Sequence, residues 1–358
     1  MPTTPLATRY EDSLRLLASR WRQVGVALLA VALIVYPLLA NALWLTIGNA
    51  AMVAIVGTVA LMILTGFTGQ ISLGHAAFLA IGAFSAAALG AHLAMPWFIG
   101  MLVGGLLAAA VGLVVGPFAL RLRGLYLAIV TVGLVFLVEH VLLHWPAVTG
   151  GHRGTSVPMY WWFDGPRVGA TAWEVGPFSF GFAHQIYVIY VIIAVAVVLF
   201  ATNLRRSRTG RAMAAVRDRD VAAAVMGVNV SRTKLEAFGI SSFLAGMAGA
   251  MFGFQQQFIN VDPPFNLFMS IDYIAMMVLG GMGTVVGAVL GALAFVMLGP
   301  LAEGLLGGIG VLGGLTSSQQ QRMLLAVIVG IFLITEPLGL YGVWLRIRVY
   351  FMAWPFRY

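Results

Sequence analysis

Residues 23–65 read QVGVALLAVALIVYPLLANALWLTIGNAAMVAIVGTVALMILT, and they open a run of 98 residues, from Gln23 to Leu120, without Asp, Glu, Lys or Arg. Further uncharged runs cover 175–204, 237–261 and 273–302. About 20 apolar residues in a helix cross the hydrocarbon core of a bilayer, so these runs have the lengths of membrane spans. Polar and apolar residues do not alternate in them, which favours helices over strands. The sequence therefore predicts an all-α integral membrane protein.

Composition and charge lead to the same conclusion. Hydrophobic residues make up 61% of the 358 residues and charged residues only 9%, whereas about 25% of an average soluble domain is charged. This balance excludes a water-soluble globule. The net charge of +8 comes from arginines that cluster between the hydrophobic runs, which indicates membrane topology and not nucleic-acid binding. Because the chain has no cysteine, disulfides, thiolate nucleophiles and Cys-ligated metals are excluded.

The positions of the basic clusters predict a topology. Placing these clusters on the cytoplasmic side gives about ten transmembrane helical elements, some of them short or broken, with both termini cytoplasmic. The elements are expected at about 24–40, 42–65, 76–91, 97–119, 124–144, 185–203, 236–258, two short helices within 270–300, and 323–341. The first is interpreted as a retained helix and not as a signal peptide. The remaining segments are a cytoplasmic N-terminal segment (1–23), an outer loop (145–184), a basic cytoplasmic loop (204–235) and a cytoplasmic tail (346–358).

Two glycine-interrupted hydrophobic segments stand at matching places in the two halves of the chain, 66–75 (GFTGQISLGH) and 279–284 (LGGMGT). Broken helices in such places indicate a transport site near the bilayer midplane. The candidate residues of a translocation path are Gly66, Gly69, Gln70, Ser72, Gly74, His75, Gly280, Gly281 and Gly283. Close helix packing is the alternative, because Gly283, Gly287 and Gly291 follow the small-xxx-small spacing.

The sequence contains no complete nucleotide-binding motif. The stretch 308–313 (GIGVLG) matches a dinucleotide fingerprint, but no strand precedes it and no acidic residue follows at the required distance. A phosphate-binding loop needs a Gly-Lys pair, and the single lysine, Lys234, follows Thr233. We therefore expect that the chain binds no cofactor and does not itself hydrolyse ATP.

Histidines and carboxylates offer little for catalysis. Glu139, His140 and His144 lie close together, and we interpret them as the polar interfacial end of a helix instead of a metal site. His75 beside the first break is interpreted as a neutral side chain that hydrogen-bonds a carbonyl freed by the break, although an ionisable group in a membrane is often functional. We expect no catalytic residue, no metal and no proton relay.

Five motifs occur in order along the chain: TGFTGQISLGHAAF (65–78), LRGLYLAIVT (122–131), TGG (149–151), RTGRA (208–212) with DVAAAVMG (220–227), and MVLGGMG (277–283). Together they resemble the M-type permeases of high-affinity branched-chain amino acid importers, over about residues 40–341. The resemblance implies an ATP-binding cassette (ABC) importer permease domain at 24–345, in a bacterial or archaeal plasma membrane. The implied partners are a second, homologous permease in a heterodimer, two ATPase subunits that use ATP, and an extracytoplasmic substrate-binding protein. Residues 301–321 match no part of this pattern.

The basic loop and the outer loop supply candidate docking surfaces for these partners. Residues 208–227 suit one or two short helices that seat on an ATPase, with glycine ending the second; the candidate residues are Arg208, Gly210, Arg211, Arg217, Asp220, Ala223, Ala224, Met226 and Gly227. A basic loop that sets orientation and meets anionic lipid is the alternative. On the outer face, the candidate residues for docking a binding protein are Gly150, Gly151 and Arg153, unless this is an ordinary connecting loop.

Substrate and mechanism leave alternatives open. The resemblance implies leucine, isoleucine, valine or a related neutral amino acid, and importers of this general type also carry urea, amides and other small polar solutes. A secondary transporter would need its own ion-coupling residues, and a membrane-embedded enzyme would need a clustered acid, base or metal site. The sequence offers neither, which favours an importer powered by a separate subunit.

Overall fold

A computed structural model describes residues 20–121, 125–175, 178–306, 316–335 and 339–353. Within these ranges the chain forms 14 α-helices and two short antiparallel strand pairs. The helices are α1 (Arg20–Leu39), α2 (Ala42–Leu61), α3 (His75–Leu93), α4 (Trp97–Arg121), α5 (Leu125–Leu143), α6 (Pro146–Thr149), α7 (Phe182–Arg206), α8 (Arg208–Asp218), α9 (Asp220–Val225), α10 (Val230–Gln256), α11 (Leu267–Gly280), α12 (Val285–Leu306), α13 (Ser317–Thr335) and α14 (Gly339–Ala353). The strands are β1 (Thr155–Ser156), β2 (Trp173–Val175), β3 (Phe178–Phe180) and β4 (Phe258–Ile259).

Seven helical segments of the described chain are long and apolar enough to cross a membrane. They are Ala42–Phe67, His75–Leu93, Trp97–Phe118, Tyr126–Leu143, Phe182–Arg206, Val230–Gln256 and Val285–Ala302. Two shorter apolar helices lie at Gln23–Leu39 and Leu267–Gly280. The prediction of an all-α membrane protein that crosses the bilayer several times is therefore confirmed.

Some element boundaries differ from the expectation. The two helices within 270–300 are not both short, because α11 has 14 residues and α12 has 22. The helix expected to begin at about 236 starts at Val230, where Asn229 accepts a hydrogen bond from the backbone of Arg232 and caps the helix. Hydropathy alone misses this polar first turn. Similarly, α14 runs through Arg346 into the expected C-terminal tail, and the dinucleotide-like stretch 308–313 lies outside the described residues.

The centre of the molecule is formed by α2, α3, α4 and α10, which pack together through small residues. Gly82 of α3 illustrates how close this packing is, because a Cβ atom added there would lie 1.9 Å from the carbonyl oxygen of Gly246 in α10. Small residues let membrane helices approach at backbone distance. The helix α12 packs against α2 of this group, which brings the two glycine segments together.

The region between α5 and α7 carries the short elements. The helix α6 and a 3₁₀ turn at Gly151–Arg153 lead into β1, which pairs with β4, so Thr155 lies opposite Ile259. The strands β2 and β3 pair with each other just before α7. These contacts attach the region expected as an outer loop to the end of α10.

Candidate translocation and coupling site

The first glycine segment is a real break in a membrane helix. After Leu61 the helix widens into a π-helical turn, Met62–Phe67, and it ends at Thr68. Gly69 has φ +71°, a left-handed backbone that glycine adopts without steric cost. Helical structure resumes at His75. The break therefore spans about seven residues, and its backbone groups need partners outside an α-helix.

Polar side chains at the break supply some of these partners. The Gln70 side-chain amide donates to the Thr68 hydroxyl at 2.9 Å and to the backbone carbonyl of Lys234 at 3.3 Å. The Ser72 hydroxyl accepts from the backbone N–H of Gly74 at 3.2 Å. Thr131 of α5 accepts from the backbone N–H of Leu73 at 2.9 Å. Gln70 and Ser72 are buried, so both support the break from within the protein.

His75 is the first residue of α3. Its side chain is buried, its ring lies 4.8 Å from that of Tyr273 in α11, and it makes a hydrogen bond with the backbone of Gly57 in α2. The hydrogen bond of His75 goes to a residue within α2 and not to a carbonyl group released by the break. The expectation that His75 would hydrogen-bond a carbonyl freed by the break is therefore wrong. The Nε2 atom has no hydrogen-bond partner in the described chain. His75 thus connects three helices at the centre of the fold.

The second glycine segment is a tight turn between α11 and α12. Gly281 has φ +109° and Gly283 has φ +84°. The Thr284 hydroxyl accepts from the backbone N–H of Gly287 at 3.1 Å and caps α12. A Cβ atom at Gly280 would lie 1.9 Å from the Gly287 carbonyl oxygen. Gly280 and Gly287 therefore allow α11 to pack closely on α12. Close helix packing was the alternative interpretation of this glycine segment.

The two glycine segments touch each other. A Cβ atom at Gly66 would lie 2.9 Å from the backbone nitrogen of Gly283. Arg217 of α8 contacts both segments. Its Nη1 donates a hydrogen bond to the Gly66 carbonyl oxygen at 2.9 Å. The same Nη1 lies next to Gly283, where an added Cβ atom would be 2.9 Å from it. The Cγ of Arg217 also approaches Gly69. We call Gly66, Gly69, Gly283 and Arg217 the glycine junction; it joins both broken helices to α8.

Two short helices, α8 and α9, carry the candidate coupling residues. Ser207 caps α8 by accepting from the backbone N–H of Gly210, and only glycine fits there, because a Cβ would lie 2.0 Å from the Leu204 carbonyl oxygen. Asp220 at the start of α9 forms an ion pair with Lys234 at 3.6 Å. Gly227 follows α9 with φ +84°, the left-handed conformation that ends many helices. The helix pair with a terminal glycine matches the expectation.

The faces of α8 and α9 divide these residues into two groups. Ala223 is buried, as is Gly210, so neither can contact a partner directly. Met226 is 84% exposed, the other exposed candidates are Arg208, Arg211, Arg217, Ala224 and Gly227, and Asp220 is half-buried. Val225, which was not among the candidates, is 83% exposed. Together with Val221, which is also exposed, Ala224, Val225 and Met226 form an apolar surface that we call the α9 patch.

The outer candidate residues lie in a glycine-rich turn. Gly150 and Gly151 have φ +72° and +59°, and the Thr149 hydroxyl accepts from the backbone N–H of Gly151 at 3.0 Å. Gly151 is buried and Arg153 is exposed. Of the three candidates, Arg153 therefore offers the accessible side chain.

Sequence reasoning missed one interhelical ion pair. Asp272 of α11 lies 3.5 Å from Arg322 of α13, and the Arg322 guanidinium also stacks on the Phe268 ring at 4.9 Å. The partner of Asp272 lies 50 positions further along the sequence, on a different helix. Among the described residues, no group of three or more His, Cys, Asp or Glu side chains is placed to hold a metal ion.

The long apolar helices of the described chain define a multi-pass membrane protein. The family described as "Branched-chain amino acid transport system / permease component" matches residues 43–335, and the chain belongs to that family. The family assignment confirms the resemblance found in the motifs, and it makes the chain a permease component instead of an enzyme.

Individual relatives show how far the likeness extends. The chain is 33% identical to the branched-chain amino acid permease LivM of Escherichia coli over 284 residues, 76% of this chain and 66% of LivM. It is 30% identical to LivH of the same organism over 156 residues, 42% of this chain and 47% of LivH. The fructose import permease FruG of Bifidobacterium longum is 28% identical over 68% of this chain and 70% of FruG. The match thus spans just under two thirds of LivM. No solved structure matches the chain.

Proposed function

We propose that this chain is a transmembrane permease subunit of an ABC importer and forms part of the translocation path for branched-chain or related neutral amino acids. In this proposal, separate ATPase subunits bind and hydrolyse ATP, and the chain itself binds no cofactor. An extracytoplasmic binding protein delivers the substrate, and a second, homologous permease completes a heterodimer.

The glycine junction is the observation that carries the proposal. It places the ends of two broken membrane helices against one residue, Arg217, of a helix outside the bundle core. A partner that moves α8 would move both broken helices together. An importer powered by a separate subunit requires such a connection, whereas a secondary transporter does not.

The topology follows from the same proposal. We place ten helical elements in the plasma membrane of a bacterium or archaeon, with residues 24–345 as the permease domain. The N- and C-terminal segments (1–23 and 346–358) and the α8–α9 region within 204–235 are cytoplasmic, supported by their arginines. Residues 145–184 then face outward, and the glycine turn with Arg153 is the proposed contact for the binding protein.

The α9 patch is the proposed seat of the ATPase. Its four apolar side chains project from a helix whose opposite side, through Ala223, packs inward. Exposed apolar surface of this kind marks interaction sites. The neighbouring arginines of α8 can set the register of the contact through charge-assisted hydrogen bonds.

Replacing Val225 with Glu is expected to reduce the amount of ATPase that copurifies with the permease at least about tenfold, because burial of a valine side chain contributes about 1.5–3 kcal/mol. The fold should be unaffected, since Val225 is exposed. The measurement is the ATPase-to-permease ratio after affinity purification of the assembled complex in detergent.

A matched control is Val225→Thr, which keeps the branched shape and should retain most of the ATPase. Ala223→Glu serves as a second comparison, because burial of Ala223 predicts loss of folded permease and not only of its partner. Wild-type ATPase ratios in Val225→Glu would show that the α9 patch contacts lipid or nothing at all.

Two substrate classes are candidates for this importer. The branched-chain assignment rests on the family and on LivM and LivH. A second candidate, another small polar solute, is favoured by the likeness to FruG, a fructose import permease that matches over a similar share of this chain. Urea and amides belong to the same alternative.

Uptake competition distinguishes the two candidates. Cells that express the importer with its binding protein should take up labelled leucine, and unlabelled isoleucine and valine should compete, while fructose, urea and acetamide should not. A host strain without the permease provides the background. If a sugar or amide is taken up and the three branched-chain amino acids fail to compete, the amino-acid assignment is wrong and the importer assignment remains.

A further inference from the structure

The first turns of α10 carry the single lysine of the chain, and this lysine has contacts on two sides. The Lys234 ammonium lies 3.6 Å from the carboxylate of Asp220, the first residue of α9. The Lys234 backbone carbonyl accepts a hydrogen bond from the Gln70 side-chain amide at 3.3 Å. Lys234 therefore joins α9, α10 and the first helix break at one position.

The ion pair of Lys234 is sheltered from solvent. The Lys234 and Asp220 side chains are 15% and 26% exposed. By contrast, Arg232 and Glu236 form an ion pair on α10 whose side chains are 79% and 37% exposed. Water screens exposed pairs, whereas charges shielded from solvent attract each other more strongly. Of these two ion pairs, the one at Lys234 is therefore the better suited to hold a helix in place.

Gln70 carries the connection from Lys234 into the break. Its side-chain amide also donates to the Thr68 hydroxyl at 2.9 Å, and its backbone carbonyl accepts from the Thr65 hydroxyl at 3.0 Å. Gln70 is buried, and hydrogen bonds away from water are electrostatically stronger. A displacement of α10 at Lys234 would therefore be passed to the residues between the π-helical turn and α3.

The break thus has two attachment points on the neighbouring helices. Arg217 of α8 donates to the Gly66 carbonyl oxygen, and the Lys234 carbonyl of α10 accepts from Gln70, four residues further along. One contact alone would let the end of the broken helix turn about it. Two contacts at different residues also fix its orientation.

We propose that Lys234 is a positioning residue for coupling. It ties α9 and the first break to the same turn of α10, so that a displacement of α9 by the ATPase moves the break at Gln70 as well as at Gly66. The inference rests on the proposed importer function, and it assigns a role to a residue outside the segment 208–227. Lys234 acts through its neighbours Asp220 and Gln70.

Replacing Lys234 with Met tests the proposal in the reconstituted importer with its binding protein. Substrate-stimulated ATP hydrolysis per assembled complex is expected to fall about fivefold, the upper end for ion pairs near a surface. Basal hydrolysis and the amount of copurified ATPase should stay at wild-type levels. Lys234→Arg keeps the positive charge and should recover most of the stimulation. A purely structural ion pair would change the yield or the Tm, but not the ratio of stimulated to basal hydrolysis.

The matched control is Arg232→Met, which removes the basic partner of the exposed ion pair on the same helix and should leave stimulation unchanged. Gln70→Met tests the other side of the connection. If the two contacts act in series, the double variant of Gln70→Met with Lys234→Met loses no more stimulation than the more affected single variant. Independent contacts would instead multiply, to about 25-fold if each single variant loses about fivefold.

Three results would overturn the proposal: wild-type stimulation in Lys234→Met, an equal loss in Arg232→Met, or a multiplied loss in the double variant. If the Lys234→Met complex does not assemble, Asp220→Asn removes the same ion pair from the α9 side. Lost stimulation with the ATPase still bound would then support the proposal, and wild-type stimulation would overturn it. A wild-type complex that substrate does not stimulate would contradict the importer function itself, whereas a stimulated wild type with insensitive Lys234 variants contradicts this inference alone.

Discussion

Replacing Arg217 with Gln is expected to reduce substrate-stimulated ATP hydrolysis and uptake about tenfold in the reconstituted importer, while the ATPase remains bound. A hydrogen bond from a charged donor contributes about 1.5–3 kcal/mol, and we take the lower end because the Arg217 side chain is 43% exposed. The substitution removes the bond from Nη1 to the Gly66 carbonyl oxygen, and it also removes the exposed 3.3 Å bonds from Nε and Nη2 to the Asp218 carboxylate on the same helix.

The physical reason lies in the end of the first broken helix. The last carbonyl groups of a helix have no partner within it, and Gly66 belongs to the final π-helical turn. Arg217 reaches that carbonyl from α8 across 151 residues of sequence. A glutamine is too short to span the same gap, so α8 could move without the broken helices. Arg217→Lys keeps the charge but has no planar fork of donors and should recover only part of the activity.

The control for this experiment is Arg232→Gln, which removes an exposed arginine paired with Glu236 on α10 and leaves the junction intact. Basal ATP hydrolysis, substrate-stimulated hydrolysis, uptake and copurified ATPase are measured for all three variants. Normal stimulation in Arg217→Gln would remove the junction from the coupling path. Loss of the ATPase itself would mean that Arg217 supports docking and not coupling.

Replacing Gly280 with Ala is expected to destabilise the permease by about 3 kcal/mol or more, at the upper end of the cost of overpacking. The added Cβ would lie 1.9 Å from the Gly287 carbonyl oxygen and 2.9 Å from the Gly291 backbone nitrogen. Both atoms belong to backbone, which cannot rotate away as a flexible side chain can. The helices α11 and α12 would have to separate, and the yield of monodisperse protein in detergent and its Tm should both fall sharply.

Gly133→Ala is the matched control, because Gly133 lies within α5 and a Cβ there meets no atom within 4 Å. In a helix, alanine is more favourable than glycine by roughly 0.5–1 kcal/mol, so this variant should be as stable as the wild type or slightly more. A wild-type Tm in Gly280→Ala would contradict the close packing of α11 on α12. A normal Tm with abolished uptake would instead favour the translocation path as the role of Gly280.

The sequence alone indicated the membrane character, most of the long helices and the family, whereas the single last helix expected at about 323–341 is two helices, α13 and α14. Uncharged runs of bilayer length are local properties, and so are the helix signals at 208–227 and the left-handed glycine at Gly227. The π-helical end of α2 was located only as a break. The polar first turn of α10 was missed, because its cap at Asn229 lies outside the apolar window.

Only the tertiary structure decided which of these features meet. Gly66 and Gly283 come from different halves of the chain, and their backbones touch because α2 packs against α12. The role of Arg217 and the pairing of Asp272 with Arg322 likewise follow from the placement of helices distant in sequence. In α9, the alanine run could not show that Ala223 faces inward while Val225 and Met226 face outward. Hydropathy and glycine spacing are encoded within single helices, whereas the neighbours of a side chain depend on how all the helices pack.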